Sequence, residues 1–217
     1  MVTSPIQTGS LLLPEAYFPP ILQYALMAEG KPVCFEQMET FPKQTFRNRC
    51  DIMTATGKTS LVVPVSRPRG NHTRTAEIRI SFREPWQRTH WRALQASYNS
   101  SPYFAYYTGK IEPLIFQKEE VLLQFNHHII NELNILLGIR ADISYTENYI
   151  KSSDAATDFR TLISPKKAFT QSIFPAYPQV FSHLHGFIPG LSILDLLFNL
   201  GPESKQYLER LKIALGH

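Results

Sequence analysis

The sequence predicts a mixed α/β fold (α+β), with a βαβ start and a mixed sheet in the N-terminal half and helices in the C-terminal half. Three observations predict it. Two short apolar runs flank a helical segment within residues 11–36, alternating residues surround a turn near Gly57, and apolar residues recur at helical spacing from Pro85 onward. The chain has 217 residues, 43% of them hydrophobic, which is enough to bury one substantial core.

The βαβ start is predicted from three segments near the N terminus. Residues 11–13 are typical of a short buried strand, which Pro14 ends. Residues 21–29 have helical character and are closed by Gly30, and residues 33–36 predict a second strand. A right-handed crossover through the helix would make the two strands parallel. We therefore expect functional groups to lie at the strand ends.

A β-hairpin is predicted next. Residues 49–54 and 59–65 alternate or run apolar around the turn residues 55–58. Pro64 places the second strand at a sheet edge or at its own end, because proline cannot donate a backbone hydrogen bond. Residues 76–80 predict one further strand.

The pattern changes to helical at Pro85, which suits the first turn of a helix. In that helix Trp91, Leu94 and Tyr98 recur at spacings of three and four residues. Residues 102–116 predict a second, weaker helix that is rich in Tyr and Phe.

The clearest helix is predicted over residues 119–137, where apolar residues are spaced by three or four and Gly138 provides the stop. Residues 142–145 predict a returning strand. Residues 149–184 are polar and interrupted by prolines, so they predict a long irregular excursion of the kind that is often functional.

Two short helices are predicted to close the chain. The first begins at Ser192, which has capping-box spacing with Asp195, and ends at Gly201. The second has Pro202 in its first turn. We interpret Asp195 as a capping group rather than a catalytic acid.

These elements predict a mixed α/β core domain over residues 1–148, with the excursion and C-terminal helices of residues 149–217 packed on it rather than folding independently. No run reaches the roughly 18 apolar residues of a membrane span, and residues 11–13 are too short for a signal-peptide core. The two cysteines, Cys34 and Cys50, fit a reducing compartment with free thiols. We therefore expect a cytoplasmic protein.

The charge is concentrated in one region. Residues 43–92 contain eleven Lys and Arg against three acidic residues, a net charge of +8, whereas the whole chain carries only +4. An anionic ligand is the natural partner of such a region. If residues 43–49 are extended, Lys43, Thr45, Arg47 and Arg49 project to one side.

This cluster is the candidate anion site. We expect Lys43, Arg47 and Arg49 to hold a phosphate or carboxylate, and Asn48 to orient the substrate through its amide. The alternative is a solvated edge strand that is kept charged to prevent edge-to-edge pairing. Three aromatic residues are expected to line the adjoining sugar or base pocket: Tyr17, Trp86 and Tyr98.

Two histidines are candidates for proton transfer, because histidine titrates near neutral pH. His72 lies in a basic loop and His90 lies beside Trp91 on a predicted helix. Alternatively, His90 packs against aromatic residues and His72 is a solvated loop residue or a ligand donor. Cys50 follows Arg49, which would lower its pKa and permit a Cys-His pair. A small buried cysteine is the competing interpretation.

No cofactor or metal is expected. The histidines at residues 127–128 and 183–185 lack carboxylates at a suitable spacing. The chain contains no phosphate-cradling glycine loop, nucleophile elbow or dinucleotide fingerprint. Basic residues interleaved with aromatic ones also suggest single-stranded nucleic-acid binding, but Glu77 and Glu84 interrupt the modest excess of charge, so this alternative is disfavoured.

Several segments, in one order and spacing, resemble the WbqC-like protein family over most of the chain. They are residues 14–20, 43–49, 63–65, 86, 90–91, 98, 102–104 and 186–199. The sequence differs from the family pattern at Glu15-Ala16, where many relatives have Gln-Pro, and Cys50 is not a general family feature. The resemblance implies a bacterial setting near the assembly of surface polysaccharide such as O-antigen.

Together these observations predict a transferase-like enzyme that binds an anionic activated substrate, either a nucleotide sugar or an acyl donor, and modifies a sugar at an amine. The expected partner is thus a phosphate- or carboxylate-bearing small molecule. Two alternatives stay open. One is a non-catalytic scaffold that docks polysaccharide assembly proteins through residues 149–184 and the C-terminal helices, and the other is the nucleic-acid binder described above.

Overall fold

The first three elements form the βαβ unit. A computed structural model of the chain describes residues 3, 6–151, 156–167 and 173–214. It begins with β1 (Ser10–Leu13), α1 (Ile21–Met27) and β2 (Val33–Phe35). β1 and β2 run parallel, with Leu11 opposite Val33. The predicted βαβ start is therefore confirmed.

Two antiparallel pairs follow, and each forms a sheet of its own. They are β3 (Arg49–Thr54) with β4 (Gly57–Val62), and β5 (Val65–Ser66) with β6 (Arg79–Ile80). The hairpin prediction is confirmed, although neither pair joins the main sheet. The strand predicted at residues 76–80 is shorter than expected, because Thr75–Glu77 form a 3-10 turn.

The basic segment at residues 43–49 is not extended. Phe46–Asn48 form a 3-10 turn, and Gln44 has a positive φ of 57°. The Val63 N–H donates to the Asn48 carbonyl (2.8 Å), and the Asn48 amide donates back to the Val63 carbonyl (2.9 Å), which fixes the turn against the hairpin. The prediction that four residues share one face is therefore wrong: Arg47 is buried and Lys43 is exposed.

Three helices and a strand come next, largely as predicted. They are α2 (Trp86–Tyr98), α3 (Phe104–Phe116), α4 (Leu122–Leu137) and β7 (Ile143–Tyr145). α4 begins three residues later than predicted because the backbone before it pairs with the β6 region. There, the Ile80 N–H donates to the Glu120 carbonyl and the Leu122 N–H donates to the Ile78 carbonyl. Gly138, with a φ of 63°, ends α4.

The remaining elements are β8 (Ala156–Asp158), α5 (Ser182–His185), α6 (Ile193–Leu200) and α7 (Ser204–Ala214). β8 lies within the segment predicted to be an irregular excursion. The Ser192 side chain caps α6 by accepting from the Leu194 N–H. Asp195 does not cap that helix, because its carboxylate faces the interior and is bound by other side chains. No described helix has the length and apolar composition to cross a bilayer.

The main sheet contains β7, β2, β1 and β8 in that order, all parallel. From the central β1 the chain adds β2 and β7 on one side and β8 on the other. The order therefore reverses between β1 and β8. In open parallel sheets ligands bind outside the carboxyl ends of the strands at such a point. The fold class predicted from the sequence is confirmed. The sheet topology makes the carboxyl ends of β1 and β8 the expected position of a ligand site.

α6 and α7 share the hydrophobic core of the preceding segments, whereas α5 has no buried residue. α6 and α7 pack against α1, and α6 also contacts α3 and β3. All residues of α1 are buried as a result. The residues after β1 are tied down as well, since the Tyr17 N–H donates to the Phe46 carbonyl (2.9 Å).

Gly201, between α6 and α7, offers a test of this packing. We expect Gly201→Ala to destabilise the protein by about 2–4 kcal/mol. Its φ is +52°, and a Cβ there would lie 2.5 Å from the Tyr103 ring. Gly109→Ala is the matched control: Gly109 lies within α3 with no atom near its Cβ position, so alanine should stabilise by about 0.5–1 kcal/mol. Urea unfolding measures both changes, and equal effects would contradict the packing described.

Candidate functional site

A cleft of about 480 Å³ lies at the carboxyl edge of the main sheet, beside β8. We call it the carboxyl-edge cleft. Its polar side chains come from the loop after β2, from the 3-10 turn, and from the residues in and around β8. They are Glu39, Thr45, Arg47, Tyr149, Lys151, Asp158, Arg160, Thr161 and Ser164. Three cations thus face two carboxylates, so the lining carries a net positive charge.

Arg47 is the most buried cation of this cleft, with 3% of its surface exposed. One terminal nitrogen of its guanidinium donates to Glu39, and the Asn126 amide holds its carbonyl (2.8 Å). Burial lowers the pKa of Arg47, and the charge of Glu39 opposes this change. The Nε–H of Arg47 is also buried, yet it has no partner among the described residues.

Thr45 lines the same cleft two residues earlier. Its hydroxyl oxygen is buried and has no hydrogen-bond partner within the described part of the chain. Buried polar groups in proteins are nearly always paired, so each unpaired one needs an explanation. Arg47 and Thr45 are therefore two lining residues of one cleft, each with a buried polar atom that has no partner among the described residues.

Arg160 is the second guanidinium of the cleft, and carboxylates hold it in place. Its side chain donates to Asp158 (2.7 and 3.0 Å) and lies 3.6 Å from Glu36. Glu36 is fully buried. The hydrogen bonds to Asp158 raise the pKa of Arg160. The guanidinium is therefore positioned before any ligand arrives.

Glu36 also organises the backbone around the cleft. Its Oε1 accepts from the Met38 N–H (2.7 Å) and the Thr146 hydroxyl (2.9 Å), and its Oε2 accepts from the Ile150 N–H (2.9 Å). It thereby joins the loop after β2 to the segment after β7. Glu36 directly follows β2, where a buried polar group can brace the carboxyl edge of the sheet.

Glu15 lies behind the same edge, two residues after β1. It is 1% exposed, and its Oε1 accepts from the Tyr145 hydroxyl (2.5 Å). His127 Nδ1 contacts that hydroxyl (2.6 Å), and Asn131 contacts His127 Nε2 (3.0 Å). Burial raises the pKa of Glu15 well above its ordinary value, although Tyr145 and Arg47 oppose this. Its Oε2 has no partner among the described residues.

A second group contains three of the residues predicted for the site. The Tyr17 hydroxyl donates to His90 Nδ1 (3.0 Å), and the rings of Trp86 and His90 are 5.0 Å apart. His90 Nε2 donates to the Val62 carbonyl (3.2 Å). Burial lowers the pKa of His90 to about 4, so the ring is neutral at physiological pH. Both ring nitrogens are engaged, which leaves no free acceptor for a substrate proton.

Trp86 and His90 border a groove of about 570 Å³ between β4 and α2. The residues lining this groove and those lining the carboxyl-edge cleft do not overlap. The structure thus divides the predicted site residues: Arg47 is at the cleft, whereas Tyr17, Trp86 and His90 cluster at the groove. Their predicted roles stay predictions.

None of the other predicted residues lines the carboxyl-edge cleft or the groove. Lys43 and His72 are exposed, and the Asn48 amide is engaged by Val63. Arg49 belongs to β3 and does not line the cleft, although its Nε is buried without a partner among the described residues. Tyr98 is buried and donates to Asp195 (2.9 Å).

Cys50 does not have the surroundings of a nucleophile. Both cysteines are free and buried. Burial raises the pKa of Cys50 well above its ordinary value, and the charge of Asp51 acts in the same direction. The competing interpretation as a small buried cysteine fits this environment. Within the described ranges, no three His, Cys, Asp or Glu side chains are grouped to hold a metal ion.

The sequence did not identify Glu15, Glu36, Tyr145 or Arg160 as site residues. The first three had a usable signal, because each is a polar residue at or just beyond the carboxyl end of a predicted strand. Arg160 had none, since β8 was not predicted. Strand order brings these residues together, and the sequence pattern alone does not give that order.

Comparison with known proteins gives two matches. The model of the WbqC-like protein family matches residues 15–168 and 164–207. The chain is also similar to an uncharacterized protein of Mycobacterium tuberculosis, with 26% identity over 204 residues that cover 81% of this chain and 86% of that protein. No solved structure matches significantly. The matched residues of the family model include all those that line the carboxyl-edge cleft.

Proposed function

This chain belongs to the WbqC-like protein family, and we propose that it is a transferase-like enzyme that binds the anionic group of an activated substrate in the carboxyl-edge cleft. The substrate is a phosphate- or carboxylate-bearing small molecule, either a nucleotide sugar or an acyl donor. In keeping with the family resemblance, we place the reaction in the bacterial cytoplasm, in the assembly of surface polysaccharide such as O-antigen.

One observation carries the proposal. Arg47 and Thr45 both line the cleft, and Arg47 Nε and Thr45 Oγ1 are buried polar atoms without a partner among the described residues. A guanidinium is well suited to phosphate or carboxylate because it offers directed, charge-assisted hydrogen bonds. An anion bound here would satisfy both atoms at once. The position at the carboxyl edge, where the strand order reverses, supports the same conclusion.

The carboxylates of the cleft restrict which anions fit. Glu39 already binds one nitrogen of Arg47, and Asp158 binds Arg160. A ligand therefore meets guanidinium groups that are oriented in advance, with part of their charge already neutralised. This arrangement favours a compact anionic group over an extended polyanion. A phosphoryl group or a carboxylate of an activated substrate meets that requirement.

Binding measurements test the proposal. We expect isothermal titration to detect binding of at least one of three probes, namely sulfate, uridine diphosphate or coenzyme A. Thr45→Val should weaken that binding about tenfold, through loss of one hydrogen bond to a charged group. Arg83→Ala, which removes an exposed cation of the same basic region, is the control and should leave the affinity unchanged.

The opposite pattern would contradict the proposal. If Arg83→Ala lost binding and Thr45→Val did not, the exposed basic surface would be the anion site. Retention of single-stranded RNA with a steep salt dependence, without binding of any small probe, would favour the nucleic-acid alternative. Capture of partner proteins without probe binding would favour the scaffold alternative.

A further inference from the structure

Glu15 is a buried carboxyl group whose two oxygens have different environments. Oε1 accepts from the Tyr145 hydroxyl at 2.5 Å. Oε2 is buried and has no partner within the described part of the chain. A buried ionised carboxylate with an unpaired oxygen is costly, whereas a neutral carboxyl group is tolerated far better. If Glu15 binds a proton, that proton must reside on Oε2.

The contacts of Tyr145 explain why Oε1 stays an acceptor. Asn131 donates to His127 Nε2, His127 Nδ1–H then donates to the Tyr145 oxygen, and the Tyr145 hydroxyl donates to Glu15. Burial lowers the pKa of His127 and raises that of Tyr145. Near neutral pH these shifts favour a neutral His127 and a protonated Tyr145, so each of these side chains donates one hydrogen bond to the next.

Glu15 is coupled to the cleft through Arg47. The Tyr17 N–H donates to the Phe46 carbonyl at 2.9 Å, which ties the segment carrying Glu15 to the turn carrying Arg47. The charge of Arg47 acts on Glu15. An ionised Glu15 would compete with a ligand for that charge and would repel an anion bound to it.

We infer that the carboxyl-edge cleft takes up its anionic ligand together with one proton, which is bound at Oε2 of Glu15. The inference rests on the proposed function, because it requires an anion in the cleft. The groups that act on Glu15 are Tyr145 of β7 and Arg47 of the turn, with His127 of α4 acting through Tyr145. Arg47 and Tyr145 stay protonated near neutral pH. Glu39 is the competing proton acceptor, because it contacts Arg47 and burial raises its pKa, and replacing Glu15 distinguishes the two carboxyl groups.

The test uses sulfate, whose charge does not change near neutral pH. For the parent protein, we expect the affinity for sulfate to fall by up to about tenfold per pH unit above the pKa of Glu15, as linkage to one proton requires. Glu15→Gln is nearly isosteric and cannot ionise, so it should bind sulfate with no such decline. Titration in buffers of different ionisation enthalpy should show proton uptake by the parent and none by Glu15→Gln.

Tyr145→Phe provides a second readout. The hydrogen bond from Tyr145 lowers the pKa of Glu15, so its removal should move the decline in affinity to higher pH. A residue with only a structural role would change stability without moving that midpoint. Circular dichroism verifies that each variant is folded.

Three results would overturn the inference. The first two leave the proposed function intact, and the third overturns both. Equal pH slopes for parent and Glu15→Gln would show that another group takes the proton. Loss of sulfate binding in folded Glu15→Gln at every pH would show that the ionised form is required. In both cases the anion site would stand. Absence of any anion binding by the parent would instead overturn the proposed function, and the inference with it.

Discussion

Arg47→Lys is expected to weaken the binding of sulfate, or of whichever probe binds, by about 10- to 100-fold. Lysine keeps a positive charge that can pair with Glu39, but it lacks the Nε–H and the planar fork of arginine. The Nε of Arg47 is the buried donor that lacks a partner among the described residues. Isothermal titration measures the loss, and urea unfolding verifies that the variant is folded.

Arg49→Lys is the matched control for this change. Arg49 lies two residues away and also has a buried Nε with no partner in the described ranges, but it does not line the cleft. We expect its replacement to leave the affinity within about twofold of the parent, since no hydrogen bond to the ligand is lost. Equal losses in both variants would show that Lys43, Arg47 and Arg49 act as one site, which would contradict the separation of Arg49 from the cleft lining.

Asp195→Ala is expected to lower the free energy of unfolding by about 3–5 kcal/mol. The carboxylate is fully buried and accepts from the hydroxyl groups of Tyr98 (2.9 Å) and Tyr177 (2.5 Å) and from the Gln179 amide (2.8 Å). Burial raises the pKa of Asp195, although these donors oppose the shift. Alanine would leave the hydroxyl groups of Tyr98 and Tyr177 buried without an acceptor, whereas the Gln179 amide would keep its bond to the Ile188 carbonyl (3.0 Å).

The control for Asp195→Ala is Glu209→Ala on α7, where the carboxylate is exposed and the change should stay within about 0.5 kcal/mol. Tyr98→Phe should give an intermediate loss of about 1–2 kcal/mol, because only one donor is removed. All three variants are compared by urea unfolding. A loss below about 1 kcal/mol for Asp195→Ala would contradict the network, and loss of probe binding by stable Tyr98→Phe would restore Tyr98 to the binding site.

Elements with a strong local pattern could be predicted from the sequence. α4 has an uninterrupted apolar spacing and a glycine stop, and the β3–β4 hairpin has alternating residues around a turn. β8 has neither, because Ala156–Asp158 is a short polar segment that becomes a strand by pairing with β1. Its hydrogen bonds come from a partner strand more than 140 residues earlier, so no local window contains the information.

The candidate site could be predicted only in part, for a related reason. The concentration of positive charge in residues 43–92 indicated Arg47, which lines the cleft. The assumption of an extended backbone was wrong, because the 3-10 turn buries Arg47 and leaves Lys43 exposed. Arg160 carries no distinguishing local pattern, and Glu15 is marked only as a polar residue just beyond the end of a predicted strand. They reach one edge of the sheet because β1 and β8 are neighbours, and that adjacency follows from the packing of the whole chain.

The most direct test of the central claim is a crystal structure of the protein soaked in selenate, an anomalous scatterer with the charge and shape of sulfate. We predict an anomalous difference peak in the carboxyl-edge cleft, within hydrogen-bonding distance of Arg47 Nε and Thr45 Oγ1. The test requires a crystal in which the cleft is open to solvent. In such a crystal, peaks only at exposed cations of the basic region, such as Arg83 and Arg88, would contradict the claim.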